Sequence, residues 1–452
     1  MKERNENKMG VMPVKKLLLT MSLPMMISML VQALYNVVDS YFVAQISEDA
    51  LTAVTLAFPV QNLMIAIASG TAVGVNALLS KSLGEKNFKT ANKTANAGVL
   101  LSVLSFLALM LFGFLGTGAF VRSQTDVKNI IELGVDYLQI CCCCSIGLFL
   151  QVMGERLLQS TGKTIYSMVS QLTGAIINII LDPIMIFGMF GLPKMGVSGA
   201  ALATVIGQCC AGTISLILNK TVNKDIELSI KDIIKPDGKV VKRIYVVGVP
   251  SILMMSIGSV MTYSMNKILI TFSTTATAVF GIYFKLQSFF FMPVFGLNNG
   301  LIPILAYNYG ARKPERIKEA LRFALVLALG VMVTGMLIMK IFPEQLLDIF
   351  NASDAMKKIG IPALNIISFN FPIAAVCIAL ISTFQAFSKS TYSLIVSIMR
   401  QLVVLIPVAW LLSKTGEVTN VWWAFPAAEL TGLIVTVYLF KTKIYDNIIS
   451  KL

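Results

Sequence analysis

The chain has 452 residues, of which 56% are apolar and 13% charged, and its 37 Lys and Arg against 23 Asp and Glu leave a formal charge of +14. The charged share is about half that of an ordinary soluble domain, which excludes a soluble globular protein. Histidine is absent, which removes Ser-His-Asp hydrolysis, zinc held by His and any His proton relay, and leaves proton chemistry to carboxylates.

Turn signals and charges cut the chain into twelve apolar candidate spans, beginning near Leu17, Leu51, Lys93, Gly134, Ile165, Gly196, Arg243, Ala276, Glu319, Ile359, Thr391 and Val418. Each crossing of a bilayer takes ~20 apolar residues, so twelve consume nearly all of the apolar content. None needs a strand. The expected architecture is an all-α membrane protein with twelve transmembrane helices in two six-helix lobes. The first lobe covers residues 1–219, and the second covers 243–452. A polar linker over 220–242 carries the Pro236-Asp237-Gly238 turn.

Lys and Arg concentrate in the segments that share a side with the N-terminus and the linker, which places both termini in the cytoplasm and the chain in the cell inner membrane. The positive charge is then mainly topological rather than a nucleic-acid surface. The basic N-terminus precedes a retained first span, not a cleaved signal.

Ionisable side chains inside spans are costly and are functional candidates by default. They are Asp39, Glu155, Arg156, Asp182, Lys267, Lys285, Arg400 and Glu429. Glu155, Arg156, Lys267 and Arg400 have long stems that reach an interface or a partner, whereas an aspartate is too short for that. At ~1.5 Å per residue, Asp39 of span one, Tyr137 of span four, Asp182 of span five and Thr204 of span six all fall in the outer half of the first lobe. Asn178 and Asp182 are i and i+4 and share one face. Gln32, Tyr35, Asn36 and Asp39 form a polar stripe on span one, and Pro24 is a candidate hinge. Lys285 in span eight is a cation in the second lobe, to be neutralised by Glu429 or to meet an anionic group.

The two halves repeat at one constant offset. Pro24 matches Pro250, Gln61 matches Gln287, and Gly70, Gly74 and Gly84 match Gly296, Gly300 and Gly310. The register continues through Gly134 with Gly360, Gln159 with Gln385, Lys163 with Lys389, Tyr166 with Tyr392 and Ser167 with Ser393. Six spans per half give both copies one orientation, related by an axis along the membrane normal, as in transporters with alternating access. At the same offset Asp39, Tyr137, Asn178 and Asp182 face Met265, Ala363, Val404 and Val408. The polar set thus belongs to the first lobe alone.

The Asn178-Ile-Ile-Leu-Asp182-Pro183 run, Pro24 followed by Val38-Asp39-Ser40, and the Gly196-Val-Ser-Gly-Ala-Ala-Leu-Ala-Thr204 segment resemble the multidrug and toxic compound extrusion (MATE) family, in its DinF-like branch. The resemblance implies two six-helix lobes around a central cleft and efflux of amphipathic, often cationic compounds in exchange for a coupling ion. It also implies a cation site made of Asp39, Asn178, Asp182, Tyr137 and Thr204. The NorM-like branch places carboxylates on spans seven and ten, where this chain has Asn266, Lys267, Asn365 and Asn370.

Candidate residues of the cleft are Gln32, Tyr35, Asn36, Gln61, Met255, Phe284, Gln287 and Phe291, because thioethers, aromatic faces and amides suit varied apolar and cationic compounds. The expected partners are such a compound and the lipid bilayer, with the chain acting as a monomer. Proton or Na⁺ is the expected coupling ion, and Asp39, Asn178 and Asp182 would supply oxygen ligands if it is Na⁺. Ser160-Thr161-Gly162-Lys163-Thr164 has the tail of a phosphate loop, but Leu157 replaces its first glycine and no strand precedes it, so no ATP site is expected. No cofactor and no enzymatic activity are expected either. The run Cys141 to Cys144 turns to different helix faces and forms no metal cage. The alternative reading is a flippase for a lipid-linked sugar or a lipid headgroup.

Overall fold

The computed structural model describes residues 6–350 and 352–452, and among these every regular element is helical. Ten helices are long and apolar enough to cross a membrane, and two further pairs, each bent by 45° at a short break, bring the total to twelve if each pair is one span. In the first lobe the spans are Val14–Ala44, Glu48–Gly84, Phe88–Leu115, Lys128–Cys143 with Ile146–Ser160, Thr164–Phe187 and Gly196–Thr221. In the second they are Gly238–Leu269, Thr274–Gly310, Pro314–Ile341, Asp354–Ile367 with Asn370–Ala386, Ser390–Ser413 and Val418–Lys451. The connection between the lobes is the stretch 222–237, which contains the short helix Ile230–Ile234.

The repeat read from the sequence reappears in local structure. Ser47 and Ser273 occupy equivalent places before spans two and eight. Each accepts a hydrogen bond at 3.0 Å from the amide three residues on, an N-cap that satisfies one of the orphan donors of the first turn. The two bent spans break at corresponding places, and at each break a serine hydroxyl turns back onto the helix: Ser145 onto Cys142 O at 2.8 Å and Ser368 onto Asn365 O at 3.1 Å. Span one runs unbroken through Pro24. A proline removes the amide that would bond the carbonyl four residues earlier, here that of Thr20, and the Thr164 hydroxyl donates to that carbonyl at 3.4 Å instead.

Glycines mark where the lobes touch. A Cβ on Gly74 would strike the backbone of Ile244, one on Gly84 that of Tyr307, one on Gly300 that of Ser22, and one on Gly310 that of Lys81. These positions lie where spans one and two approach spans eight and seven, in the halves of those helices nearest the termini and the linker. Ser22 Oγ donates to Leu297 O across the same seam at 3.3 Å, and Arg156 Nη1 donates to Asn299 Oδ1 at 3.0 Å. Towards the other end the close approach ceases: a Cβ on Gly281 would have nothing within 4 Å, and Asn36 of span one and Met255 of span seven stand exposed. The two lobes therefore close at the end that bears the termini and diverge at the opposite end.

A short N-terminal helix, Lys8–Val11, lies across the closed end. Asn7 Nδ2 donates to Thr161 O of the first lobe at 3.1 Å. From the second lobe, Asn308 donates to Met9 O at 3.2 Å, Lys313 to Gly10 O at 2.9 Å, and Arg316 to Met9 O and Met12 O at 3.1 and 2.7 Å. The Ser160–Thr164 segment is the turn between spans four and five. Gly162 adopts φ +84° there, and Lys163 Nζ pairs with Asp225 of the connection at 2.6 Å.

Candidate functional site

Spans five and six pack closely along small residues: a Cβ on Gly174 would meet Ala211 Cβ at 2.8 Å and Gly207 O at 2.9 Å, and one on Gly207 would meet Gly174 O at 2.7 Å. That approach sets Thr204 beside Asn178. Asn178 Nδ2 donates to Asp182 Oδ1 and to Thr204 Oγ1, each at 3.3 Å. The first bond joins i to i+4 along span five, and the second ties span five to span six. Asp182 is wholly buried and Asn178 nearly so.

Asp39 enters from span one and interacts electrostatically with Asp182 and with Tyr35 and Tyr137. Tyr137, 3% exposed, accepts from Gln61 Nε2 of span two at 3.0 Å, and Gln61 also lies 3.9 Å from Cys141 Sγ. Five spans of one lobe thus contribute to one cluster of two carboxylates, two amides and three hydroxyls.

Its hydrogen-bond balance is incomplete. The Asn178 amide protons are spent on Asp182 and Thr204, while Asp39 Oδ1, Asn178 Oδ1 and Asp182 Oδ2 are buried with no hydrogen-bond partner. All three are acceptors. Buried polar atoms are normally paired, and an unmatched acceptor costs about 1–3 kcal/mol, more when charged. Two carboxylates within electrostatic reach of each other add mutual repulsion when both are ionised. A proton on either carboxylate, or a hard cation among the oxygens, relieves both costs. Among the described residues no group of three or more His, Cys, Asp and Glu side chains is placed to hold a metal ion, so a cation here relies on the amide and hydroxyl oxygens as well as the carboxylates.

The candidates for the cleft fall in several settings. Asn36 and Met255 are exposed, and Tyr35 and Gln287 are half-buried. Gln32 accepts from Gln171 of span five at 3.0 Å. Gln61 is half-buried and donates to Tyr137. Phe284 packs edge-on against Phe280 at 4.8 Å and Phe291 against Phe371 at 5.3 Å, inside the second lobe.

Of the remaining intramembrane charges, all but Lys285 have a polar side chain or a tyrosine ring as partner. Glu155 accepts from Gln151 at 3.0 Å, Lys267 lies 5.7 Å from the Tyr263 ring, and Arg400 pairs with Glu429 at 2.9 Å. Arg400 sits in a π-helical stretch, Ile398–Leu405, that the sequence pattern did not announce. The same is true of the Gln61–Tyr137 bond and of the Arg156–Asn299 contact between lobes. Each joins residues too far apart in sequence for helical spacing to reveal.

The MatE family model matches residues 24–184 and 250–411. The chain is similar to the multidrug export protein MepA of Staphylococcus haemolyticus, with 25% identity covering 94% of this chain and 92% of that one. It is equally similar to an FAD transporter of Shewanella oneidensis, with 26% identity and 94% of each chain covered. Among solved structures, the outward-facing conformation of a multidrug resistance MATE family transporter superposes with a TM-score of 0.93 at 24% identity. A transporter of the MOP superfamily from Pyrococcus furiosus gives the same TM-score, and both comparisons cover 100% of each chain. Those likenesses establish the twelve-helix, two-lobe fold.

Proposed function

The chain belongs to the MatE family of membrane transporters, and from that premise we propose that it is a secondary active exporter of amphipathic organic compounds, coupled to the entry of a proton or Na⁺ through its first lobe. The observation that carries the reading is the trio of buried, unpartnered acceptors at Asp39, Asn178 and Asp182. Relatives of the same length include multidrug export proteins, which supports the class of cargo.

In this reading both termini are cytoplasmic and the cleft of the present structure faces outward. The coupling cation enters from outside and settles among Asp39, Asp182 and Asn178, while Thr204 and Tyr137 hold the surrounding hydrogen bonds. Neutralising the carboxylates removes their repulsion and favours a tighter packing of spans one, five and six. Because span one also forms the seam with span eight, that packing is transmitted to the cleft. Cargo is released outward, and the lobes then rock to reload from inside. Spans one, two, seven and eight supply the moving seam.

The test is transport by purified protein in lipid vesicles with pH and Na⁺ gradients imposed separately. The proposal predicts accumulation of a cationic dye that rises at least ~10-fold under one of the two gradients and collapses when that gradient is dissipated. Accumulation that ignores both gradients contradicts it.

A further inference from the structure

Lys285 lies eleven residues into the 37-residue span eight, and the structure shows what its charge does not meet. Glu429, the carboxylate expected to neutralise it, is taken by Arg400 at 2.9 Å. Glu344 and Asp348 of the neighbouring turn are taken by Lys357 at 3.4 and 2.6 Å. Among the described residues no carboxylate lies within ion-pair distance of Lys285, and its ammonium approaches only the face of Phe350, at 5.9 Å from the ring centroid. An unpaired cation about 16 Å from the helix start, at 1.5 Å per residue, is expensive to keep in a membrane and marks a functional position.

Helical phase says where it points. Eleven residues make three turns, so Lys285 shares a face with Gly296, where a Cβ would meet Met25 and Met26 of span one. Lower on that face Gly300 is pressed on Ser22, and higher up Gly281 has nothing within 4 Å. The face therefore leaves span one on its way to the open end and becomes a wall of the cleft. Counting outward from Met26 on the antiparallel partner places Lys285 level with Val37 and its exposed neighbour Asn36. Phe289, one turn from Lys285 on the same face, is 37% exposed.

We propose that Lys285 is an anion-accepting subsite of the transport cleft, taking a carboxylate, sulfonate or phosphate of the cargo while its apolar body rests on Phe289. The inference deepens the proposed export function and rests on it for the identity of the cleft. Because the carboxylates Asp39 and Asp182 lie within the first lobe, the ammonium is the charge this wall presents to the cargo, an arrangement suited to anionic and zwitterionic amphiphiles.

The test uses a matched pair of dyes, rhodamine B with its free carboxylate and the ethyl ester of rhodamine B without it. Binding to the purified full chain is measured by fluorescence anisotropy, so the answer does not depend on transport. Wild type is expected to bind the acid with an affinity that falls ~10-fold in Lys285→Gln, as for loss of one charge-assisted hydrogen bond, while the ester binds both proteins alike. Lys285→Arg is expected to retain the preference. Equal affinity of wild type and Lys285→Gln for the acid, or equal loss for both dyes, overturns the proposal. Repeating the measurement in nanodiscs of neutral and of anionic lipid separates the two sources of such a group. If the acid preference disappears only in anionic lipid, headgroups occupy the subsite; if it persists in both, the cargo does. Loss of gradient-driven transport with the acid preference intact would count against the export reading alone.

Discussion

A single amide organises the candidate coupling site. Asn178 divides its two protons between Asp182 and Thr204, and that division fixes the orientation of its own carbonyl beside the unpartnered carboxylate oxygens. Leucine at this position matches the volume but leaves Asp182 without its donor. Asn178→Leu is therefore expected to lower gradient-driven transport by ~10-fold or more, in line with the loss of a hydrogen bond to a charged group, whereas Thr204→Ser keeps the hydroxyl and most of the activity. Transport by the two variants in vesicles checks this, and equal activity of Asn178→Leu and wild type would contradict it. The Arg400–Glu429 pair is of another kind, because its charges satisfy each other and both side chains are mostly enclosed. Removing one partner leaves a buried charge, so Glu429→Gln is expected to cost about 3 kcal/mol of stability. Thermal unfolding in detergent measures it, and the double replacement Arg400→Gln with Glu429→Gln should recover part of the loss.

At the scale of elements, the closed end of the molecule rests on glycines that let four helices meet by their backbones. Gly74→Ala would place a methyl group against the Ile244 carbonyl, where neither backbone has a flexible end to yield. Overpacking of this kind costs about 1–3 kcal/mol, here charged against the closed seam alone. The expected result is a shift towards the conformation open at the terminus-bearing end. Distances between spin labels placed on spans two and seven read that shift, and an unchanged distribution would show that the seam is more compliant than its glycines imply. The N-terminal helix reinforces the seam from outside, since one arginine, Arg316, binds two of its carbonyls. Arg316→Ala is expected to free the segment and speed tryptic cleavage at Lys8 several-fold, because local opening follows the contacts that hold a segment down. An unchanged cleavage rate would show that Asn308 and Lys313 suffice.

Over the whole molecule, the sequence made the helical class and the two-lobe repeat legible, because apolar length and matched Pro and Gly positions are properties of single segments. The helices begin a few residues before the expected starts, at Val14, Glu48, Phe88 and Lys128 in the first lobe, and the side chains of Ser47 and Asn87 cap the second and third spans, a signal that hydropathy ignores. The breaks within spans four and ten were illegible, because neither Cys144-Ser145 nor Ser368-Phe369 contains a helix-breaking residue. In the site, the Asn178 and Asp182 pairing followed from i, i+4 spacing, whereas the bond from Gln61 to Tyr137, 76 residues away, left no local signal. The direction in which the cleft opens was not legible at all, because it depends on which halves of spans one, two, seven and eight touch.

In the proposed coupling, a cation entering the first lobe drives export through Asp39 and Asp182. The direct measurement is gradient-driven substrate accumulation in vesicles by wild type, Asp39→Asn and Asp182→Asn, with binding of the same substrate measured in parallel. The account predicts that each substitution abolishes the response to the driving gradient, by ~100-fold or more, while substrate binding is retained. Undiminished gradient-driven accumulation by both variants would contradict it.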